Sequence, residues 1–490
     1  MSLQHANSQP VWTESSIREL FEHSADVQIQ LFHLGDADDT QILFIYAEGL
    51  CDSSQISKVV LPELHDLAQG QRRFREGYYG TLPLIPLHSN ISPGHLVEFV
   101  FQGDLILFFP NSRNVFKMNA CNPPGRTPEE STTEISIKGP KDGFVEDIAT
   151  NVALVRKRIR SNSLSYEMYI LGTRTRTKVG LMYIEDILSP QILQEVRKRI
   201  KKIDIDGIYS IAQLEENLSD VKYSLFPLID FTGRPDYAVS ALLAGRFVLI
   251  VDGNPFVLIG PATLSLILKS PEDIHFGFQY VSFARLIRLF SLWLSILLPG
   301  FWVAIVAFHQ DQIPFRLMAT ISVARMGLPF SSQMEMLILL LLLEIFREAG
   351  VRLPSSIGQI LTVVGGLVIG DAAIRSGLVS PSVVVVGAIT AVSGATLVNQ
   401  SLSTVISIVR LVIFLLSAFL GMYGMILSLI LLLFYMSKLQ SFGVPYLAPL
   451  SPVSFKDLAI SFLKIPYNKM KKRPSNLSTL DSDHQGDSTT

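Results

Sequence analysis

The sequence contains few cysteines and none of the common catalytic signatures. Only two cysteines, Cys51 and Cys121, occur among 490 residues, and neither shows metal-ligand spacing. We therefore expect no disulfide framework and predict reduced thiols that face a cytoplasm. A phosphate-cradling GxxxxGKS or GxxxxGKT loop, a CxxC pair and an HExxH helix are all missing. The chain is not expected to be an enzyme or to hold a catalytic residue, a cofactor or a metal.

Charged residues are scarce in the stretch from Leu289 to Ser437. It holds eleven Asp, Glu, Lys or Arg residues, whereas the other 73 of the 84 lie in the remaining 341 residues. An ionised side chain costs about 2.5–3.5 kcal/mol at the centre of a membrane helix. The uneven distribution of charge therefore indicates that this stretch lies in lipid and the rest of the chain in water. We assign residues 281–437 to an all-α, polytopic membrane domain in contact with lipid. The formal net charge of -2 gives no reason to expect a nucleic-acid partner.

The N-terminus lacks the basic start and short apolar run of a signal peptide, since it opens with MSLQHANSQP. We therefore expect the first apolar span to act as the insertion signal and to leave the N-terminal region on the side of synthesis. The C-terminal tail is basic, which favours a cytoplasmic location for it too. With both ends on one side, the number of crossings should be even.

Four uncharged runs are long enough for a membrane span of about 20 residues, or nearly so. They contain 22, 18, 34 and 27 residues and cover 289–310, 353–370, 376–409 and 411–437. The first run is the safest span, and Arg285 and Arg288 before it are expected to form a basic cytoplasmic flank. The segment Met334 to Phe346 is either a span with an inward carboxylate or an interfacial helix, and Ile313 to Phe330 is interfacial or re-entrant. Gly421 and Gly424 could break the last apolar stretch into a hairpin. Six crossings are preferred, and four remain possible.

The N-terminal region is predicted to be a duplication. Ile42 to Leu50 and Val179 to Ile187 share a Tyr-x-Glu motif within an apolar strand, and Gly103 to Phe108 matches Gly245 to Ile250 at a similar offset. Each copy should be an α/β subdomain, and Asp252-Gly-Asn254 should form a hairpin turn in the second. The predicted fold is α+β, with subdomains at 1–121 and 139–280, a linker at 122–138, the membrane domain, and a disordered tail at 438–490.

Two charged segments of this region have simple structural interpretations. Gly139 to Ile159 reads as a helix with acids first and bases last, whose apolar side chains face a core. An apolar stripe is predicted on the helix that contains the basic run, formed by Ile192, Val196, Ile200 and Ile203. The basic run itself, Arg197 to Lys202, is interpreted as a solvated helix face, with lipid contact as the alternative.

Polar and small residues in the membrane domain supply the candidate functional positions. Helical spacing places five of them on one face, which is either a close-packing surface or the wall of a water-filled pore: Ser355, Gln359, Thr362, Gly366 and Gly370. Glu344 and Arg410 are the intramembrane charges suspected of a function, although either could sit at an interface.

Several motifs, in order, resemble the A subunit of the nutrient germinant receptors of bacterial endospores, the GerA family. The similarity runs from about Ser136 to Pro452. The motifs are Gly139 to Asp147, Arg234-Pro-Asp236, Glu344 to Pro354, Gly377 to Pro381 and Phe442 to Pro449. One departure is Gly233, where many relatives would have an acidic residue.

This resemblance implies a receptor component in the spore inner membrane, with both termini on the spore-core side. It also implies assembly with a transporter-like, nutrient-binding B subunit and a lipoprotein C subunit. A subunits of the family are expected to form a homo-oligomeric ion channel. The alternatives are a membrane-anchored scaffold and a solute transporter, for which no internal repeat is found among the spans.

Overall fold

The computed structural model describes residues 12–34, 41–68, 82–87, 91–121, 134, 136–352, 371–466, 468 and 471–484. The chain divides into two compact units. One, called the α/β unit here, comprises Met1–Lys222, Ile229–Pro261 and Met470–Thr490. The other, the helical unit, comprises Tyr223–Leu228 and Ala262–Lys469.

The first half of the α/β unit is built on an antiparallel sheet of five strands in the order β1-β2-β4-β5-β3. The strands are β1 (Val27–His33), β2 (Gln41–Ala47), β3 (Ile85–Leu87), β4 (Asp104–Phe109) and β5 (Asn114–Asn119). The helices are α1 (Glu14–Leu20), α2 (Ser53–Gln55), a π-helical turn (Ile56–Val60), α3 (Leu61–Ala68) and α4 (Pro93–Phe101).

Helices cover both faces of this sheet, which explains its apolar centre. All six residues of β4 are buried, and alternate residues along β2 enter two separate hydrophobic clusters. Ser92 caps α4 through a hydrogen bond from the backbone N–H of His95, and Pro93 occupies the first helical position. The layered arrangement therefore follows from strands that alternate between two apolar faces.

The second half of the α/β unit repeats this topology, with strand order β6-β7-β9-β10-β8. The similarity of the two apolar strand motifs thus corresponds to one strand order used twice. The strands are β6 (Leu164–Leu171), β7 (Thr177–Ile184), β8 (Asp230–Thr232), β9 (Phe247–Val251) and β10 (Val257–Gly260). The helices are α5 (Ile148–Arg156), α6 (Pro190–Lys202), α7 (Ile211–Leu218) and α8 (Pro235–Leu243).

Two local predictions for this half are confirmed. β9 and β10 pair antiparallel around the Asp252-Gly-Asn254 turn. The predicted apolar face of the segment ending at Ile159 is buried, although the helix itself covers only Ile148–Arg156. The buried residues are Phe144, Ile148, Val152, Val155 and Ile159.

The helical unit consists mainly of α-helices of very different lengths. They are α9 (Leu264–Ile267), α10 (Phe278–Phe308), α11 (Phe315–Ala324), α12 (Ser332–Arg352), α13 (Pro381–Ala395), α14 (Gln400–Lys438) and α15 (Phe455–Phe462). A two-stranded ladder, β11 (Gln440–Ser441) with β12 (Val444–Pro445), follows α14. Short 3-10 helices cover Pro271–Ile274 and Gln310–Gln312, and one in the α/β unit covers Ser475–Leu477.

Within the described ranges, α10 and α14 are long and apolar enough to cross a membrane, while α11 and α13 are shorter apolar helices. The safest predicted span therefore coincides with α10. The count of six crossings stays a prediction, because the run 353–370 lies outside the described residues.

The break proposed at Gly421 is present in α14. This glycine has φ +64° and ψ −142°, which lies outside the helical region. A Cβ at Gly424 would lie 2.1 Å from the carbonyl oxygen of Leu416, eight residues earlier. Eight residues of continuous helix span about 12 Å, so the chain reverses direction here. α14 is therefore a helical hairpin.

The C-terminal tail differs from the disordered segment that the sequence suggested. Leu477 is fully buried, and the backbone N–H of Leu480 donates to the carbonyl oxygen of Ile187 at 3.0 Å. Arg473 donates to the carbonyl oxygen of Leu243 at 3.0 Å and forms an ion pair with Asp481. A few such anchors order a polar segment that composition alone describes as solvated.

The predicted boundary at residue 281 is also displaced. Residues from Ala262 onward belong to the helical unit, and α10 already begins at Phe278. Arg285 and Arg288, expected as a basic flank, both bind the carboxylate of Asp273. Their contribution to a positive boundary is therefore partly neutralised within the unit.

Candidate functional site

The five positions predicted to line a pore lie within 353–370, outside the described residues. The pore-wall hypothesis for Ser355, Gln359, Thr362, Gly366 and Gly370 therefore stays a prediction. The two suspected intramembrane charges, Glu344 and Arg410, are described, and the structure brings them together.

Arg410 is the centre of a polar cluster between the helices of the helical unit. Arg410 is 8% exposed, and one of its guanidinium nitrogens, Nη2, lies 3.2 Å from Oε2 of Glu344. The same nitrogen donates to Oγ of Ser407 at 3.1 Å, and Nη1 lies 3.5 Å from Oγ of Ser295. The cluster joins side chains from α10, α12 and α14.

A second guanidinium, that of Arg347, shares the same partners. It pairs with the other carboxylate oxygen of Glu344 and donates to Oγ of Ser407 at 2.6 Å. Its Nη1 also lies 3.3 Å from the carbonyl oxygen of Ser403. Two arginines therefore divide one carboxylate and one hydroxyl between them.

Local sequence spacing places these groups on facing sides of two helices. Glu344 and Arg347 are three residues apart on α12, and Ser407 and Arg410 are three apart on α14, so each pair shares a helix face. Gly394 on α13 provides space beside them, since a Cβ there would lie 3.2 Å from Oγ of Ser295. Arg347, Ser407 and Ser295 are not predicted from the sequence, although the repeated three-residue spacing is a signal that could have revealed the first two.

A cavity of about 110 Å³ adjoins this cluster. Its walls are mostly apolar but include two charged side chains, and they are formed by Leu340, Leu341, Glu344, Ser407, Ile408, Arg410 and Leu411. Charged groups are costly in an apolar bundle unless they are paired or serve a function. The described residues contain no group of three or more His, Cys, Asp or Glu suited to holding a metal.

A further buried carboxylate lies near the start of α12. Glu335 is fully buried, and its Oε2 accepts a hydrogen bond from the backbone N–H of Ser380 at 2.9 Å. Its Oε1 lies 3.4 Å from Nε of Arg325. Because Ser380 caps α13, the carboxylate lies at the positive end of that helix dipole. Glu335 therefore fixes α12 to the start of α13.

In the α/β unit, Arg156 joins the two halves. This residue is one of the bases predicted at the C-terminal end of the helix, and it is fully buried. Its guanidinium binds Asp26 through two hydrogen bonds of 2.8 and 2.9 Å and donates to the carbonyl oxygen of Leu164 at 2.7 Å. It also stacks on Phe101, 4.0 Å from the ring centroid. The buried ion pair of Arg156 with Asp26 therefore joins the two halves of the α/β unit.

The basic run on α6 is likewise only partly solvated. Arg197 pairs with Glu167, and Arg199 pairs with both Glu195 and Asp220. Ile200 is fully buried, in agreement with the predicted apolar stripe. The remaining bases of the run are exposed: Lys198, Lys201 and Lys202.

The predicted linker contributes one carboxylate to the second half of the α/β unit. Oε2 of Glu134 accepts a hydrogen bond from Oγ1 of Thr232 at 2.6 Å and one from the backbone N–H of Gly233 at 3.3 Å. Burial and the nearby Asp230 raise the pKa of Glu134 to about 7, while Thr232, Gly233 and Arg234 oppose this change. The resemblance predicts an acidic residue at the position of Gly233. In this chain, Glu134 from the predicted linker places a carboxylate beside that position instead.

Comparison with known proteins agrees with the motifs. Residues 15–476 match the family described as Bacillus/Clostridium GerA spore germination protein. Spore germination protein XA of Bacillus anthracis is 43% identical over 483 residues, covering 96% of this chain and 97% of that protein. Spore germination protein KA of Bacillus subtilis (strain 168) is 34% identical, covering 94% and 86%.

One solved structure is also similar, that of the N-terminal domain of the A subunit of the Bacillus megaterium spore germinant receptor GerK3. It is 28% identical and covers 51% of this chain and 93% of its own, with a TM-score of 0.38. The match of the family to nearly the whole chain, together with its full-length relatives, confirms the resemblance found in the motifs. The chain belongs to the Bacillus/Clostridium GerA family of spore germination proteins, as the A subunit of a germinant receptor.

Proposed function

We propose that this subunit converts nutrient binding into germination by forming an oligomeric, ion-conducting pore. In this proposal it acts without enzymatic chemistry, beside a transporter-like B subunit that binds the nutrient and a lipoprotein C subunit. It resides in the spore inner membrane, with both termini on the spore-core side.

The cluster around Arg410 is the observation that carries the proposal. The bundle presents large apolar side chains outward, including Phe290, Phe419 and Phe434, which are 66%, 77% and 58% exposed. Such faces are typical of contact with lipid or a second subunit. Charges placed inside an apolar bundle usually mark an ion pathway or a switch. The carboxylate of Glu344 pairs with Arg347 through one oxygen and with Arg410 through the other. In this proposal, the gate opens when one of these two pairings is lost.

Ion flux from liposomes that contain the full chain, alone and with its B and C partners, tests this proposal. We expect nutrient-dependent flux with the partners and altered flux for Arg410→Gln. Asp371→Asn is the matched control, because the Asp371–Arg375 pair lies at the surface with side chains 58% and 79% exposed. No flux under any condition, with assembly intact, would contradict the pore.

A membrane-anchored scaffold is the second candidate, and close helix packing favours it. A Cβ at Gly300 would lie 2.7 Å from Oγ of Ser417, and one at Gly387 would lie 2.4 Å from Cδ2 of Leu339. Small residues at such crossings allow helices to associate tightly in lipid. A scaffold predicts that Gly300→Val disrupts assembly, whereas Arg410→Gln leaves germination unchanged.

A further inference from the structure

The only two cysteines of the chain lie opposite each other in the first half of the α/β unit. Cys51 follows β2 and Cys121 follows β5, and an isolated antiparallel bridge pairs them across 70 residues of sequence. Two cysteines scattered at random would rarely face one another. Their pairing is the observation to explain.

The hydrogen bonds around this bridge define its geometry. The backbone N–H of Asp52, one residue after Cys51, donates to the carbonyl oxygen of Ala120, one residue before Cys121, at 2.9 Å. This pattern belongs to a non-hydrogen-bonded antiparallel pair, in which Cα atoms are about 4.5 Å apart and side chains are closest. A disulfide needs a Cα separation of about 4.4–6.8 Å. The backbone therefore already satisfies the distance.

Both sulfur atoms converge on Gly103. The thiol of Cys51 donates to the carbonyl oxygen of Gly103 at 3.0 Å. A Cβ at Gly103 would lie 3.0 Å from Sγ of Cys121, and φ of +90° there also disfavours a side chain. The absence of a side chain at Gly103 therefore leaves space for Sγ of Cys121, while the carbonyl oxygen of the same glycine binds the thiol of Cys51.

The two thiols differ in accessibility. Cys121 is exposed, whereas Cys51 is buried. Burial raises the pKa of Cys51 to about 12. The pKa of Cys121 is also raised, by burial and Asp104, but Arg160 and Lys157 oppose that rise. Cys121 is thus the thiol that meets a reagent first, and Cys51 is placed to react with it afterwards.

We propose that Cys51 and Cys121 are a redox modification site, at which exchange with a small-molecule disulfide forms a reversible intramolecular disulfide. Cys121 releases its proton and attacks the small disulfide, which expels one thiolate and leaves a mixed disulfide. Cys51 then releases its proton, attacks Sγ of Cys121 and expels the second thiolate. The two cysteines are oxidised by two electrons, and the small disulfide is reduced to two thiols.

The bond would fasten the last residue before the linker to the start of α2. It would close a loop of 70 residues, from Cys51 to Cys121, and so restrict the unfolded chain. Oxidation should therefore raise the midpoint of thermal unfolding of the first half, and reduction should reverse the change.

Incubation of the full chain in detergent with glutathione disulfide tests the site. After quenching and denaturation, we expect wild-type protein to lose both free thiols and to yield one Cys51–Cys121 peptide by non-reducing mass spectrometry. Cys121→Ser, altered only at an exposed position, should keep its single thiol free. Cys51→Ser should accumulate glutathione on Cys121 and show no rise in the unfolding midpoint.

Three outcomes would overturn the proposal. One is wild-type protein that carries glutathione on Cys121 while Cys51 stays free. Another is a disulfide between two copies of the chain through Cys121. The third is no loss of thiols at oxidant concentrations that fully modify Cys121 in the Cys51→Ser variant.

Discussion

Arg156 in the α/β unit and Arg410 in the helical unit are both buried arginines paired with a carboxylate, yet their surroundings differ. Arg156 has a bidentate partner of its own in Asp26, and its other contacts include the carbonyl oxygen of Leu164. Arg410 shares Glu344 with Arg347 and lies beside a cavity. The first is a pair with one carboxylate for one arginine, whereas in the second one carboxylate serves two arginines.

This comparison separates two uses of a buried charge. When every donor is satisfied, the group fixes one geometry, and losing its partner is costly. When two cations share one anion, the loss of either pairing still leaves the anion paired, which is the property that the proposed gate would use. Substitutions at Arg156 should therefore affect stability, whereas those at Arg410 should affect conduction.

The largest effect is expected for Arg156→Gln. This change leaves Asp26, which is 5% exposed, as a buried carboxylate without its bidentate donor. Loss of one partner from a buried pair costs about 3–5 kcal/mol. Thermal unfolding of the full chain, followed by circular dichroism, should show this loss. Arg174→Gln is the control, because Arg174 and Asp206 are 82% and 80% exposed. Equal decreases in stability for both variants would contradict a stabilising role of the Arg156–Asp26 pair.

Glu134 gives the next largest effect, and it depends on pH. Its folded pKa of about 7 lies above its ordinary value of 4.5. The folded state therefore holds the proton more tightly than the unfolded state, so stability falls as pH rises from about 4.5 to about 7. The loss is at most about 3 kcal/mol.

Glu134→Gln should remove this part of the pH dependence, because the amide keeps an acceptor for Thr232 and Gly233 but cannot ionise. The unfolding midpoint should then exceed that of wild type at pH 8 and approach it at pH 5. Burial and Asp230 also raise the pKa of Glu215 to about 7. Glu215 is therefore a reference for the pH dependence that Glu134→Gln should retain. Parallel midpoint curves for wild type and Glu134→Gln would refute the assignment.

Glu344→Gln should have a smaller effect on stability, about 1–3 kcal/mol, because the carboxylate is 39% exposed. Its effect on flux should be the larger one, since Arg347 and Arg410 would lose their shared anion. The exchange Glu344→Arg with Arg410→Glu should partly restore gating, if the pair acts as a switch. Ion flux measured in liposomes distinguishes a switch from a purely structural pair, because for a structural pair only stability would change.

The smallest effect is expected for Asp371→Asn, at the exposed Asp371–Arg375 pair. Exposed ion pairs contribute about 0–1 kcal/mol, so both unfolding and flux should stay near wild type. A clear loss of flux would mean that surface charge, rather than the Arg410 cluster, controls conduction.

Local patterns were predictable from the sequence, whereas long-range pairings were not. The repeated strand motifs and the stripe of Ile192, Val196 and Ile200 depend on periodicity, which reads burial directly. The role of Arg156 depends on Asp26, 130 residues earlier, and no local pattern reveals such a partner. The same reason hid the contact of Glu134 with Thr232, 98 residues away.

The candidate site was identified only in part. Glu344 and Arg410 stood out because charge is rare in an apolar stretch, but their pairing spans 66 residues. The cysteines were interpreted from their number and their lack of metal-ligand spacing, which contain no information about the bridge between Cys51 and Cys121. Composition indicates which groups are unusual, and tertiary packing decides which of them meet.

The reversal at Gly421 has a consequence for how the chain enters a bilayer. Because the turn occupies so few residues, the two arms of α14 would insert as one pair and leave almost nothing on the far side for a protease or label to reach. Reporters placed just before Gln400 and just after Lys438 should then be found in the same compartment.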